Sequence, residues 1–181
     1  MLEIVGPHRL LPGGTEGEAM ARDGATRASV PTPALILDLD AHCGGGTDEL
    51  VGHHPAVRIA DIAVDAFDQY QPAPGNSLEL VRDPTAYLPT LRRRLDALAG
   101  ESFGLVLYNA GMDPHQHCPV GGLQGIDELV LAQRERIVFE WCRRRGLPVA
   151  FVLAGGYIGP RLAQDKLVAL HRLTLSAALH T

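Results

Sequence analysis

Four short apolar runs alternate along this chain with longer stretches whose apolar residues recur at helical spacing. The runs are Ala34 to Leu37, Ala56 to Val64, Phe103 to Asn109 and Val149 to Leu153. Each is too short for a buried helix and is bounded by Gly, Pro, Asp or Asn, so each is expected to be a strand. Between them, Leu88, Leu91, Leu95 and Leu98 form one helical stripe, opened by Asp83 as N-cap with Pro84 behind it and closed at Gly100. A second helix is expected from about Ile126 to Arg145. Asp127 and Glu128 lie in its first turn and Arg143, Arg144 and Arg145 in its last, which suits the helix dipole; Gly146 and Pro148 end it. Pro160 opens a last helix reaching about Ala178, and the QPAPGNS stretch makes Asp65 to Arg82 a long loop.

Strands alternating with helices imply a parallel sheet with right-handed crossovers. The expected fold class is α/β, a three-layer, mainly parallel sheet flanked by helices. Residues 1–33 read as an irregular segment with a short helix around Glu16 to Arg22, and residues 34–181 as one α/β domain. There is no internal repeat.

Composition narrows the function. The 181 residues suffice for one domain with a stable core, and 46% hydrophobic with 20% charged residues is ordinary for a globular protein. A net charge of −5 leaves no basic stripe for phosphates, so no nucleic-acid partner is expected. Cys43, Cys118 and Cys142 are odd in number and widely spaced, which suggests neither a disulfide framework nor a CxxC metal site and fits a reducing cytoplasm. No basic region leads an apolar stretch at the N-terminus and no apolar run approaches membrane length, so no membrane partner is expected.

The chemistry concentrates at strand ends. Asp40 and His42 lie two apart just past the first strand, so their side chains point to the same side. In an open α/β sheet that end of a strand is where ligands bind. A carboxylate and an imidazole there make two-thirds of an open zinc site. Asp113 follows the third run on a tight Gly–Pro turn, and Tyr157 follows the fourth after Gly155 and Gly156.

This order of motifs, DLDAHCGGGT (38–47), NAGMDP (109–114) and AGGY (154–157), resembles the zinc-dependent histone deacetylases and acetylpolyamine amidohydrolases of the arginase–deacetylase superfamily. The resemblance runs roughly from Ala34 to Ala178. It implies that Asp40, His42 and Asp113 hold Zn2+ and that Tyr157 polarises the substrate carbonyl. Asp38 would sit behind the ligands, at a monovalent cation or within a hydrogen-bond network. The implied function is hydrolysis of an acyl-amide, small-molecule or peptide: acetyl-lysine, acetylpolyamine or similar.

Three departures qualify that expectation. The family's adjacent histidine pair, which handles the proton, lies upstream of the first zinc motif; here the residues before Ala34 contain a lone His8. On that reading the fold is N-terminally truncated or has lost the loop. The chain would then be impaired, a non-catalytic metal-binding remnant or assembly module, or dependent on a homo-oligomer or a complementing chain. Cys43 follows the metal histidine where a second histidine is common. Gly44 stands where a second metal would need an acid, so one metal is expected. His53 and His54 read as a surface turn, His115 and His117 as loop histidines near the site, and His171 and His180 as packing or surface residues. A strand followed by Asp38-x-Asp40 also resembles the haloacid-dehalogenase phosphatases, but Ala41-His42 and the lone Lys166 fit that motif poorly.

Overall fold

Alternating strands and amphipathic helices leave few ways to bury both, and the chain adopts a five-stranded all-parallel sheet. The structure, a computed structural model, describes residues 32–180. The expectations for the segment before Thr32, including His8 and the Glu16 to Arg22 helix, lie outside those residues. The elements are β1 (Ala34–Asp38), α1 (Gly45–Val51), β2 (Val57–Ala63), β3 (Ser77–Leu80), α2 (Pro84–Ala97), β4 (Leu105–Gly111), α3 (Glu128–Arg144), β5 (Val149–Ala154) and α4 (Gln164–His180).

Sheet order is β3-β2-β1-β4-β5. The chain moves from the centre to one edge, then returns to build the other side, so the order reverses between β1 and β4. Opening a crevice at the carboxyl ends of the two strands flanking that reversal is a general property of such sheets. Asp40, His42 and Asp113 leave from those two strand ends.

The helix signals at Asp83 and Asp127 behave as read, whereas Pro160 does not open the last helix: it lies in a turn closed by a Gly159–Leu162 bridge, and α4 starts at Gln164. Asp83 caps α2, its Oδ1 accepting the Thr85 N–H at 2.9 Å, and Asp127 caps α3, accepting the Val130 N–H at 2.9 Å. Tyr87, Leu91 and Leu95 of α2 and Leu131, Val138, Trp141 and Cys142 of α3 bury against Leu35, Leu37, Val106 and Tyr108 of the sheet. Helix α4 packs along α3 through Leu170, Leu173 and Ala177.

Two elements were not expected. β3 lies inside the long loop; as an edge strand with every residue half-buried, it carries little apolar pattern. α1 follows the glycine string without a buried residue or a side chain at its N-cap. Instead, Asp61 Oδ2 takes the Gly44 N–H at 2.7 Å and Asp68 Oδ2 takes the Gly46 N–H at 2.9 Å, satisfying free donors at the helix start. Among the described residues no helix is long and apolar enough to cross a membrane.

Candidate metal centre

The three sequence-selected ligands meet. Asp40, His42 and Asp113 each offer a ligand atom, and these atoms all lie within 4.8 Å of one another. His42 Nδ1 is 3.0 Å from Asp40 Oδ1 and 3.1 Å from Asp113 Oδ2. Those spacings approach the edge of a small tetrahedron with metal–ligand bonds of about 2.0–2.2 Å.

Local hydrogen bonds fix the carboxylates. Asp40 Oδ1 accepts the His42 N–H at 3.0 Å, and Asp113 Oδ1 accepts the Ala41 N–H at 3.1 Å, tying β4's turn to the residue between the other two ligands. Asp113 is fully buried, and its Oδ2 has no hydrogen-bond partner although His42 Nδ1 is close by. A buried oxygen of this kind is costly unless something else satisfies it. The glycines around it make the space: a methyl group on Gly155 would stand 2.4 Å from Asp113 Oδ1 and 2.8 Å from Asp40 Oδ2, and Gly155 also has φ +60°. One on Gly111 would stand 2.8 Å from Asp40 Oδ2.

Electrostatics agree with that geometry. Burial first, and then the facing Asp40 charge, push the Asp113 carboxyl up to about 7. A divalent cation among these atoms would reverse the penalty. Two carboxylate oxygens and one imidazole nitrogen are a donor set suited to zinc with an open position. The residues present therefore fit the metal that the sequence motif implies.

Behind them runs a polar row across one sheet face, Asp61–Asp38–Asn109, in register on β2, β1 and β4. Asp38 Oδ1 accepts the Asp40 N–H at 3.1 Å and an Asn109 side-chain N–H at 2.8 Å, so Asp38 orients the strand end that carries Asp40. Asp61, at 1% exposure, is an acid inside an apolar strand and was missed by sequence reasoning; the break in the Ile59–Ala63 run was its signal. Burial is the main cause that pushes Asp38 up to about 6 and Asp61 up to about 7.

That shift has a measurable consequence. A carboxyl whose folded-state pKa is raised contributes stability at low pH, lost as the pH rises from about 4 through the folded-state value. In chelator, unfolding free energy is expected to increase as the pH falls from 8 to 6, and Asp61→Asn should flatten that dependence. Urea unfolding of the full chain across this range checks it; a wild-type profile that is flat or rises toward pH 8 contradicts it.

Tyr157 reaches the rim of the same site. Its ring is 6.4 Å from the His42 ring, in edge contact, and Phe67 packs edge-on to His42 from another side at 5.9 Å. His42, Phe67, Asp65, Asp68, Val120 and Tyr157 line an open cavity of about 460 Å³. The other histidines lie elsewhere. His115 and His117 stack edge to face at 5.2 Å and line a different cavity with Asp127 and Glu128. His53 and His54 are exposed in the turn before β2. His171 is half-buried on α4.

The largest omission of sequence reasoning lies beneath the ligands. Arg134 of α3 is fully buried, paired with Glu135 at 2.6 Å. Its Nη1 donates to Leu39 O at 3.1 Å and Gly111 O at 2.7 Å, the carbonyls beside Asp40 and near Asp113. A charged pair on the stripe formed by Leu131, Val138 and Cys142 was the available signal.

Comparison with known proteins bears on the fold that carries these residues. No family model matches the chain. An acetylpolyamine aminohydrolase from Burkholderia pseudomallei superposes with a TM-score of 0.65 at 18% identity, over 82% of this chain and 45% of that one. An HDAC homolog from Aquifex aeolicus gives 0.58 at 18% identity, over 79% of this chain and 42% of that one. The chain has the deacetylase fold. An HDAC homolog complexed with SAHA gives a TM-score of 0.60 at 17% identity, over 79% of this chain and 42% of that one. In sequence, the deacetylase-fold chain is 33% identical over 162 residues to an uncharacterized protein of Picosynechococcus sp., covering 84% of this chain and 54% of that protein. It is 30% identical over 148 residues to histone deacetylase 2 of Arabidopsis thaliana, covering 76% of this chain and 38% of the relative. The chain thus spans about half the length, or less, of the curated relatives it matches.

Proposed function

We propose that this deacetylase-fold chain holds one zinc ion through Asp40, His42 and Asp113 and that the site hydrolyses an acyl-amide of small-molecule or peptide type. The observation that carries this reading is the convergence of those side chains at the sheet's reversal point, where a buried Asp113 oxygen has no hydrogen bond and only the His42 imidazole beside it. When bound, zinc supplies Lewis-acid polarisation and a water more acidic than bulk water.

The protein groups divide the remaining work. Asp40 and Asp113, held by backbone N–H groups, present their free oxygens in a fixed arrangement, which reduces reorganisation on binding. Tyr157 lines the cavity beside His42, and its phenol is held in the protonated form: partial loss of solvent and the Asp113 and Asp40 charges raise its pKa. Its hydroxyl is a hydrogen-bond donor for the substrate carbonyl and stabilises the oxygen as negative charge develops there. Phe67 and Val120 give the acyl group apolar walls.

The test combines metal analysis with hydrolysis of an acetyl-lysine peptide and an acetylated polyamine. Stoichiometric zinc together with turnover is expected. Tyr157→Phe should retain zinc and lower kcat by roughly 10²–10³-fold, the usual effect of removing one oxyanion donor. Turnover unaffected by that change would remove Tyr157 from the mechanism.

A second reading is favoured by one observation. Among the described residues lining the cavity, His42 is the only histidine, and it is assigned to the metal. A positioned general base contributes about 10²–10⁴-fold. A chain that binds zinc but does not turn over would be a metal-binding module of this fold, or one completed by another copy or chain that supplies the proton acceptor. Zinc retained with no hydrolysis of either substrate selects this reading.

A further inference from the structure

Part of the cavity wall is built from two loops far apart in sequence, one carrying Val120 and Gly121 and the other Tyr157. Cys118 lies where they meet and is 4% exposed. Its Sγ accepts the Tyr157 N–H at 3.3 Å and donates to Val120 O at 3.0 Å, while Tyr157 O stands 3.9 Å away. A thiol has one proton. Spent on Val120 O, it leaves the sulfur lone pairs facing the Tyr157 N–H, so a single side chain joins both loops. Its neighbour Pro119 packs on Gly159, two residues past Tyr157, where an added methyl would stand 3.0 Å from Pro119 Cγ.

Tyr157 needs such an anchor. It follows Gly155 and Gly156 at φ +60° and +88°, positions that confer freedom on the loop, and the residue is itself 46% exposed. The ring touches His42 edge-on and is otherwise open to the cavity, so the backbone attachment is left to hold its direction on the other side.

We propose that the Cys118 thiol is the positioning residue for Tyr157, aiming its hydroxyl over the candidate metal ligands by fastening the tyrosine backbone to the Val120 wall. This rests on the role given to Tyr157 above. A thiol suits the position because its Cβ–Sγ bond is longer than a hydroxyl's Cβ–O bond and carries the bonding atom to within 3.0 and 3.3 Å of both loops at once. Serine has a shorter reach and can satisfy one partner fully only by pulling its loop inward.

The experiment uses the zinc-loaded full chain with Cys118→Ala, Cys118→Ser, Tyr157→Phe and the Cys118→Ala/Tyr157→Phe double variant. All are expected to retain zinc. Cys118→Ala should lower kcat by roughly 10–100-fold with KM changed less than threefold, since misplacement by about 1 Å costs on that order. Cys118→Ser should recover part of the loss, and the double variant should be no slower than Tyr157→Phe alone, as expected of residues acting as a unit. Unchanged kcat in Cys118→Ala, or losses that simply multiply, overturns the proposal. A second readout is independent of turnover: with ring-labelled tyrosine, the Tyr157 NMR signal, assigned by its loss in Tyr157→Phe, should shift or broaden in both Cys118 variants. A signal unmoved in Cys118→Ser and Cys118→Ala overturns the proposal whether or not the protein is active. Absent turnover with a moved signal sinks the hydrolase reading and leaves the positioning role standing.

Discussion

Arg134→Met is expected to lower the unfolding free energy by about 3–5 kcal/mol, the usual cost of stranding one member of a buried ion pair. The substitution removes the guanidinium but leaves Glu135 fully buried. Glu135 would then retain the Tyr108 hydroxyl, 2.9 Å from its Oε1, as a neutral donor. Its Oε2 already lacks a hydrogen-bond partner, so the carboxylate has little to fall back on. The carbonyls of Leu39 and Gly111 lose their donor at the same time. These carbonyls sit on the two strand ends that carry the candidate metal ligands, so zinc affinity should also fall by about 10–100-fold, the range seen when groups that orient ligands are removed. Adding Glu135→Leu to Arg134→Met should restore much of the stability, because an apolar pair of similar volume avoids desolvating either charge. Urea unfolding of the single and double variants measures both effects. A loss below about 1 kcal/mol in the single variant would show that the pair holds nothing in place.

Asp113→Asn should abolish stoichiometric zinc and yet raise the stability of the metal-free protein at pH 8. The amide oxygen can still accept the Ala41 N–H, so the tie between β4's turn and β1's end survives. What disappears is a buried negative charge facing Asp40, the arrangement that pushes this carboxyl up to about 7. The gain in chelator is expected to be on the order of 2 kcal/mol, or roughly 4–8 °C in Tm for a chain of this size. In excess zinc the order should invert, since only the wild type binds and is stabilised by mass action, by about 4 kcal/mol at a thousandfold excess over Kd. Crossed stabilities of this kind mark a site that tolerates strain for the sake of a ligand. A metal-free Asp113→Asn protein less stable than the wild type would mean that this carboxylate serves the fold instead.

Much of this was readable before any coordinates. β1, β4 and β5 and the caps at Asp83 and Asp127 follow from local rules, since a strand run, a helix stripe or a cap is written within a few consecutive positions; the same rules put Asp40, His42, Asp113 and Tyr157 at strand ends, and the resemblance of their motifs supplied the roles expected of them. The deacetylase fold was legible for the same reason: its motifs are short and each follows a strand.

The rest depended on partners distant along the chain. Sequence left Asp61 an anomaly in an apolar run, and only the register that puts it beside Asp38 makes it part of a polar row. Arg134 meets Leu39 O across 95 positions, and Asp113 meets the Ala41 N–H across 72. The strand order β3-β2-β1-β4-β5, which brings those distant residues together, cannot be read from hydrophobic periodicity, because periodicity reports which face of an element is buried and not what it is buried against. Cys118 shows the same division: its sequence neighbours mark an isolated thiol, and its role comes from the loop 39 positions later that folds back onto it.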